Sequence, residues 1–106
     1  MNARDLSRFF KFKNINKKRW IIMEIEKKIK KILVSEIFVE IPEENMGLDD
    51  SLRNEFGIDS LGFVELRVNC EEEFEVKISD DDFTPENFQS INSVANLVRR
   101  LQLVNN

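Results

Sequence analysis

Three stretches of this chain repeat apolar side chains at the period of an α-helix, and that repetition restricts the possible folds more than any other feature. Ile25, Ile29, Ile32 and Leu33 recur at i, i+4, i+7 and i+8 over about Met23 to Phe38, with Lys27 and Lys31 on the opposite face. Phe63, Leu66, Cys70 and Phe74 form a second row, and Ile91, Val94, Val98 and Leu101 a third that runs to about Leu103. No segment alternates convincingly as a strand would. A chain of 106 residues makes one domain whose core is too small to enclose a deep active site.

The segments between the rows carry their own signals. A stretch of about twenty residues, "VEIPEENMGLDDSLRNEFGID", has Pro42 and Gly47 as breakers and Leu48, Leu52 and Phe56 as apolar anchors. A loop of that length in a small domain is functional or contains a short helix. In "ISDDDFTPENFQS", Thr84 can cap, Pro85 suits a first helical position, and Phe83 with Phe88 match a hydrophobic staple, which predicts a short third helix. Ser90 offers a cap for the last helix, and Arg99 and Arg100 stand near its C-terminus, where the helix dipole favours cations. The expected architecture is all-α: a small four-helix bundle of three main helices and one short one.

Composition removes several function classes. The chain has no histidine, so it lacks the commonest general base, the usual partner of a nucleophilic serine, and the commonest transition-metal ligand. Its single cysteine, Cys70, excludes an internal disulfide framework, and no apolar run approaches the length of a membrane span. The expected setting is a reducing, cytoplasmic one. Charge is divided unevenly. Residues 1–22 hold seven basic side chains against Asp5, whereas the rest of the chain holds nine basic and nineteen acidic. The acidic body disfavours nucleic acid and membrane headgroups and suits proteins with basic docking patches. Residues 1–22 read as a basic extension outside the core, followed by a domain over 23–106. Phe9, Phe10, Phe12 and Trp20, interleaved with basic residues, leave a targeting peptide or a membrane-surface arm as alternatives.

The second helix carries two apolar rows. Besides the Phe63 row, Leu61, Val64 and Val68 form a stripe bordered by Glu65, Glu71 and Glu72. That stripe is either covered internally or left as a docking surface. At the start of the helix, in "EFGIDSLGFVEL", Gly57 ends the loop and Asp59 or Ser60 supplies a capping oxygen. "GIDSLG" is not the G-x-S-x-G elbow of hydrolases, and without histidine a serine triad cannot form within the chain. The acidic runs at Asp49–Asp50 and Asp80–Asp82 do not follow the spacing of a calcium loop, and no metal site is expected. Cys70 lies on the core row, as a buried and inert thiol would. What remains is a serine hydroxyl at the positive end of a helix, a place that favours a phosphodiester.

The stretch "GIDSLGFVELRVNCEEEFEVKISDDDF" resembles the modification-site helix of acyl carrier proteins and peptidyl carrier domains. The similarity extends over Met23 to about Leu103, in helix order, loop length and the later Thr-Pro-Glu-Asn-Phe and Ser-Ile-Asn-Ser-Val segments. It implies 4′-phosphopantetheine, derived from coenzyme A, attached covalently to Ser60. Asp59 would be the acidic residue before it, and Leu61 the apolar residue that contacts the phosphopantetheinyl transferase and later enzymes. Val64, Glu65, Val68 and Glu72 would form the partner-docking face. The implied function is a non-catalytic, monomeric carrier that holds acyl or aminoacyl groups as thioesters. It would deliver them to acyltransferase, ligase or synthase enzymes. Gly62 and Arg67 depart from the pattern of fatty-acid carriers and point to polyketide, nonribosomal peptide or related specialised metabolism. The alternatives are a carrier of housekeeping fatty acid synthesis and an unmodified helical interaction module.

Overall fold

The apolar rows become three helices that bury them against one another. The computed structural model describes residues 17–104, with side chains from Glu24 onward. Helix α1 spans Lys17–Ser35, α2 Ser60–Phe74 and α3 Ile91–Val104, with a 3-10 turn at Glu43–Asn45 in the long connection. No strand occurs among the described residues, and none of their helices is long and apolar enough to cross a membrane.

Helix α1 begins six residues before Met23, because nothing between Lys17 and Met23 breaks a helix and lysine, arginine and isoleucine are tolerated well within one. The first part of the basic extension, residues 1–16, lies outside the described residues. At its other end α1 stops at Ser35, short of Phe38. The Glu36 and Ile37 N–H groups both donate to the Ile32 carbonyl, at 2.8 and 3.1 Å, and Phe38 turns left-handed at φ 65°. A bulky residue rarely takes that conformation, which costs about 1–2 kcal/mol per residue.

The core contains the expected rows. Ile25, Ile29, Ile32 and Leu33 of α1, Leu66, Cys70 and Phe74 of α2, and Ile91, Val94 and Val98 of α3 are buried, while Phe63 and Leu101 pack at its edge. Each fully buried aliphatic side chain contributes about 1.5–3 kcal/mol relative to exposure. Leu52 and Phe56 anchor the long connection as expected, but Leu48 is exposed, and Met46 and Ile58 fill the core beside them. The reason is a tight turn after Gly47, whose N–H donates to Asp50 Oδ2 at 3.0 Å and turns Leu48 outward. Leu48 is held through its backbone instead: its carbonyl accepts from the Asn92 N–H at 2.9 Å.

The short third helix is reduced to one capped turn. Thr84 Oγ1 accepts from the Asn87 N–H at 3.2 Å, the Phe88 N–H reaches the Thr84 carbonyl at 3.0 Å, and the Phe83 and Phe88 rings meet edge to face at 4.9 Å. It goes no further because the next residues are committed elsewhere. The Gln89 carbonyl accepts from the Leu52 N–H at 2.9 Å, and Ser90 Oγ caps α3 through the Ser93 N–H at 3.1 Å.

Ile37 meets α2 near Gly62, and Lys28 pairs with Glu73 at 3.1 Å, so α1 and α2 run antiparallel. The pair is half-exposed and adds at most about 1 kcal/mol. A more sheltered pair, Arg99 Nη2 to Glu26 Oε2 at 2.6 Å, joins α3 to α1.

Burial pushes the Cys70 thiol up from 9.0 to about 12, and the neighbouring Glu71 and Glu73 charges add to the shift. The protonated form is therefore favoured by folding, and its contribution to stability is complete below pH 9 and lost as pH rises toward 12. At pH 8 the native chain should alkylate with iodoacetamide at least about 100-fold more slowly than the urea-unfolded chain, measured by mass spectrometry. Equal rates would show that Cys70 is accessible in the fold.

Candidate functional site

The start of α2 is positioned by the end of the long connection. The Ile58 N–H donates to the Leu52 carbonyl at 3.1 Å, and Leu52 itself is fully buried. Between them Gly57 takes φ +71°, a left-handed conformation that glycine adopts without strain. The backbone then leaves the core at Asp59, in extended conformation, and Asp59 Oδ1 accepts from the Gly62 N–H at 2.9 Å. Asp59, not Ser60, is thus the N-cap. Ser60 is the first residue of the helix, free of capping duty.

Ser60 is exposed, and its hydroxyl makes no hydrogen bond to any described residue. The first N–H groups of a helix have no partner within it. Here the Asp59 carboxylate takes the one from Gly62 and the Asp59 carbonyl takes the one from Phe63, at 3.0 Å. No described residue accepts from the N–H groups of Ser60 and Leu61, which lie at the positive end of the dipole.

Two clefts flank this helix start. One, of about 550 Å³, has Ser60 at its edge and is walled by Phe63 and Val64 on one side and Phe83, Pro85 and Phe88 on the other. Arg53 lines the same cleft, its guanidinium 5.5 Å from the centre of the Phe63 ring. The other cleft, of about 500 Å³, lies beside Phe38, Leu61 and Glu65. Neither Arg53 nor Phe38 stands out in the sequence. A lone arginine in a loop and an aromatic just past a helix carry no spacing signal, and only the fold brings them beside α2.

The second apolar row is not covered. Leu61, Val64 and Val68 are 68%, 46% and 44% exposed, with Glu65 and Glu72 exposed beside them. Glu71 does not belong to this rim: its carboxylate accepts from the Ile78 N–H at 2.8 Å. Arg67 likewise turns away from the exposed face, donating from Nε and Nη2 to the Ile78 carbonyl at 3.0 and 2.6 Å. Gly62 is buried for a steric reason. A Cβ there would stand 2.8 Å from Ile58 Cγ2, so a side chain would force Ile58 to shift, while Ile37 Cγ2 at 3.5 Å would be in ordinary contact.

An exposed hydroxyl with no bond to break, two unpaired N–H groups, a nearby guanidinium and an adjoining cleft fit an anionic, phosphate-linked chain. No thiolate competes, since Cys70 is buried and protonated. Residues 27–101 match the family described as the phosphopantetheine attachment site. The chain is also similar to acyl carrier protein 2 of Pseudomonas aeruginosa, with 42% identity over 59 residues, or 56% of this chain and 72% of that protein. A match over most of the described fold, joined to this helix start and its uncovered apolar row, places the chain in the acyl carrier protein family, whose members bear phosphopantetheine and are carriers, not catalysts.

Proposed function

We propose that Ser60 is the attachment point of 4′-phosphopantetheine and that the chain is a cytoplasmic carrier of acyl or aminoacyl thioesters. The observation that carries this reading is the Ser60 hydroxyl: exposed, without a hydrogen-bond partner among the described residues, and at the first position of the helix within the family match. On modification, Ser60 Oγ forms a phosphodiester as the pyrophosphate bond of coenzyme A breaks. The nucleotide portion leaves, and the hydroxyl proton passes to the transferase. When bound, the group supplies a terminal thiol for thioester formation. The N–H groups of Ser60 and Leu61 would hold the phosphate at the positive end of the helix, an effect of about 0.3–1 kcal/mol, and Arg53 would add positive charge from the lining of the cleft. Asp59 holds the helix start through Gly62, and exposed Leu61 offers the transferase an apolar contact.

The uncovered row of Leu61, Val64 and Val68, rimmed by Glu65 and Glu72, supports docking to enzymes with basic, apolar patches. The family match favours a carrier, which releases each partner before meeting the next, over a permanent interaction module. The specialised pathway rests on the cleft. Its three phenylalanine rings are interspersed with Ser51, Asn54, Thr84 and Gln89, a mixed lining that suits a short or polar acyl group better than a long saturated chain.

Incubation with coenzyme A, magnesium and a promiscuous phosphopantetheinyl transferase should add one phosphopantetheine to the wild type and none to Ser60→Ala, by intact-mass measurement. An unmodified wild type would sink the assignment. Reversal of Glu65 and Glu72 to lysine should slow loading and transfer about 10-fold at low salt, because surface charge acts chiefly on encounter. Far-ultraviolet circular dichroism should stay unchanged, since exposed ion pairs contribute only about 0–1 kcal/mol. Insensitivity to both charge reversal and salt would contradict the docking face. In reconstituted assays one dedicated ligase or acyltransferase should load the carrier rapidly. A fatty acid synthase set should elongate on it poorly, and efficient multi-cycle elongation to long saturated chains would overturn the specialised pathway.

A further inference from the structure

The segment between α2 and the turn at Thr84 is hung from α2 by two side chains one helical turn apart. Both backbone groups of Ile78 are satisfied from the helix: Glu71 accepts its N–H at 2.8 Å, and Arg67 donates twice to its carbonyl. Arg67 Nη2 also meets Asp80 Oδ1 at 3.1 Å, and the Arg67 guanidinium lies 4.9 Å from the centre of the Phe83 ring. Phe83 in turn meets Phe88 edge to face, and both rings wall the Ser60 cleft. The Arg67 side chain is only 22% exposed, which shelters its bonds to Ile78, whereas Asp80 is almost fully exposed and its ion pair contributes little. A planar guanidinium can grip a carbonyl and cover an aromatic face at once, which an ammonium cannot.

We propose that Arg67 is the positioning residue for the outer wall of the cleft. It holds the Phe83 ring in place, and that ring selects by size which acyl groups the cleft shelters. The proposal rests on the carrier reading above. With the ring held, a small acyl group keeps a wall to pack against, whereas a long one meets the ring as an obstruction. Releasing the ring therefore acts in opposite directions on the two, which a general loosening of the fold does not do.

Acyl-phosphopantetheine can be installed on Ser60 directly from butyryl- or dodecanoyl-coenzyme A with a phosphopantetheinyl transferase. The rate of thioester hydrolysis at fixed pH then reports shelter. Arg67→Lys and Arg67→Met should hydrolyse the butyryl thioester several-fold faster than wild type and the dodecanoyl thioester more slowly. Phe83→Ala should do the same, and Arg67→Met combined with Phe83→Ala should go no further than Phe83→Ala alone. Rates that rise for both lengths, stay at the wild-type value, or add across the double variant would overturn the proposal. Arg67→Lys retains the charge and the alkyl stem and keeps the test open if Arg67→Met does not fold. In the unmodified protein, the ring-proton resonances of Phe83 and Phe88 should shift in Arg67→Lys, and unshifted rings would overturn the positioning role. A wild type that cannot be loaded at Ser60 would refute the carrier reading and the size selection with it, while the ring resonances still decide whether Arg67 holds the wall.

Discussion

The site depends first on how Leu52 is held. Its side chain is fully buried, its N–H is bound by Gln89 and its carbonyl by Ile58. One residue in the middle of a long connection thereby joins the start of α2 to the segment that precedes α3. Burial of an aliphatic side chain is worth about 1.5–3 kcal/mol and each backbone hydrogen bond about 0.5–1.5 kcal/mol. Ordering the backbone between Leu52 and Ser60 costs about 1–2 kcal/mol per residue, so Leu52 offsets part of that cost and the buried Phe56 and Ile58 contribute to the rest. Ser60 is consequently presented on a helix with a fixed origin, not on a mobile loop, and the opposite wall of its cleft is referenced to the same point.

The two kinds of charge on α2 have different tasks because the helix presents different faces. Glu65 and Glu72 stand exposed beside the uncovered apolar row, where water screens them. Arg67 and Glu71 face the chain that follows and close its backbone hydrogen bonds where a strand or helix would otherwise be needed. A small domain with little secondary structure between Phe74 and Ile91 can keep that segment ordered in this way, since a buried backbone group without a partner costs about as much as a lost hydrogen bond.

Gly62 and Phe38 illustrate how one interface governs both flanks of the helix start. The close approach of Ile58 crowds any side chain at Gly62. The chain leaving α1 turns sharply enough to place Phe38 in a left-handed conformation, 75% exposed and next to Leu61 at the second cleft.

Helical periodicity was sufficient to determine the all-α class, the three apolar rows and most of the core, because burial of one face is a local pattern repeated along the chain. The capping residues Thr84 and Ser90 were legible for the same reason: their hydrogen bonds span three residues. The choice between Asp59 and Ser60 as cap was not legible, since both residue types can fill the position and the backbone conformation at Asp59 follows from Leu52 and Ile58. Exposure of the Leu61, Val64 and Val68 row, the outward turn of Leu48, and the inward turn of Arg67 and Glu71 were likewise decided only by the tertiary structure. Each depends on which segment, distant in sequence or merely across a loop, comes to lie beside the residue, and one-dimensional spacing carries no record of that partner.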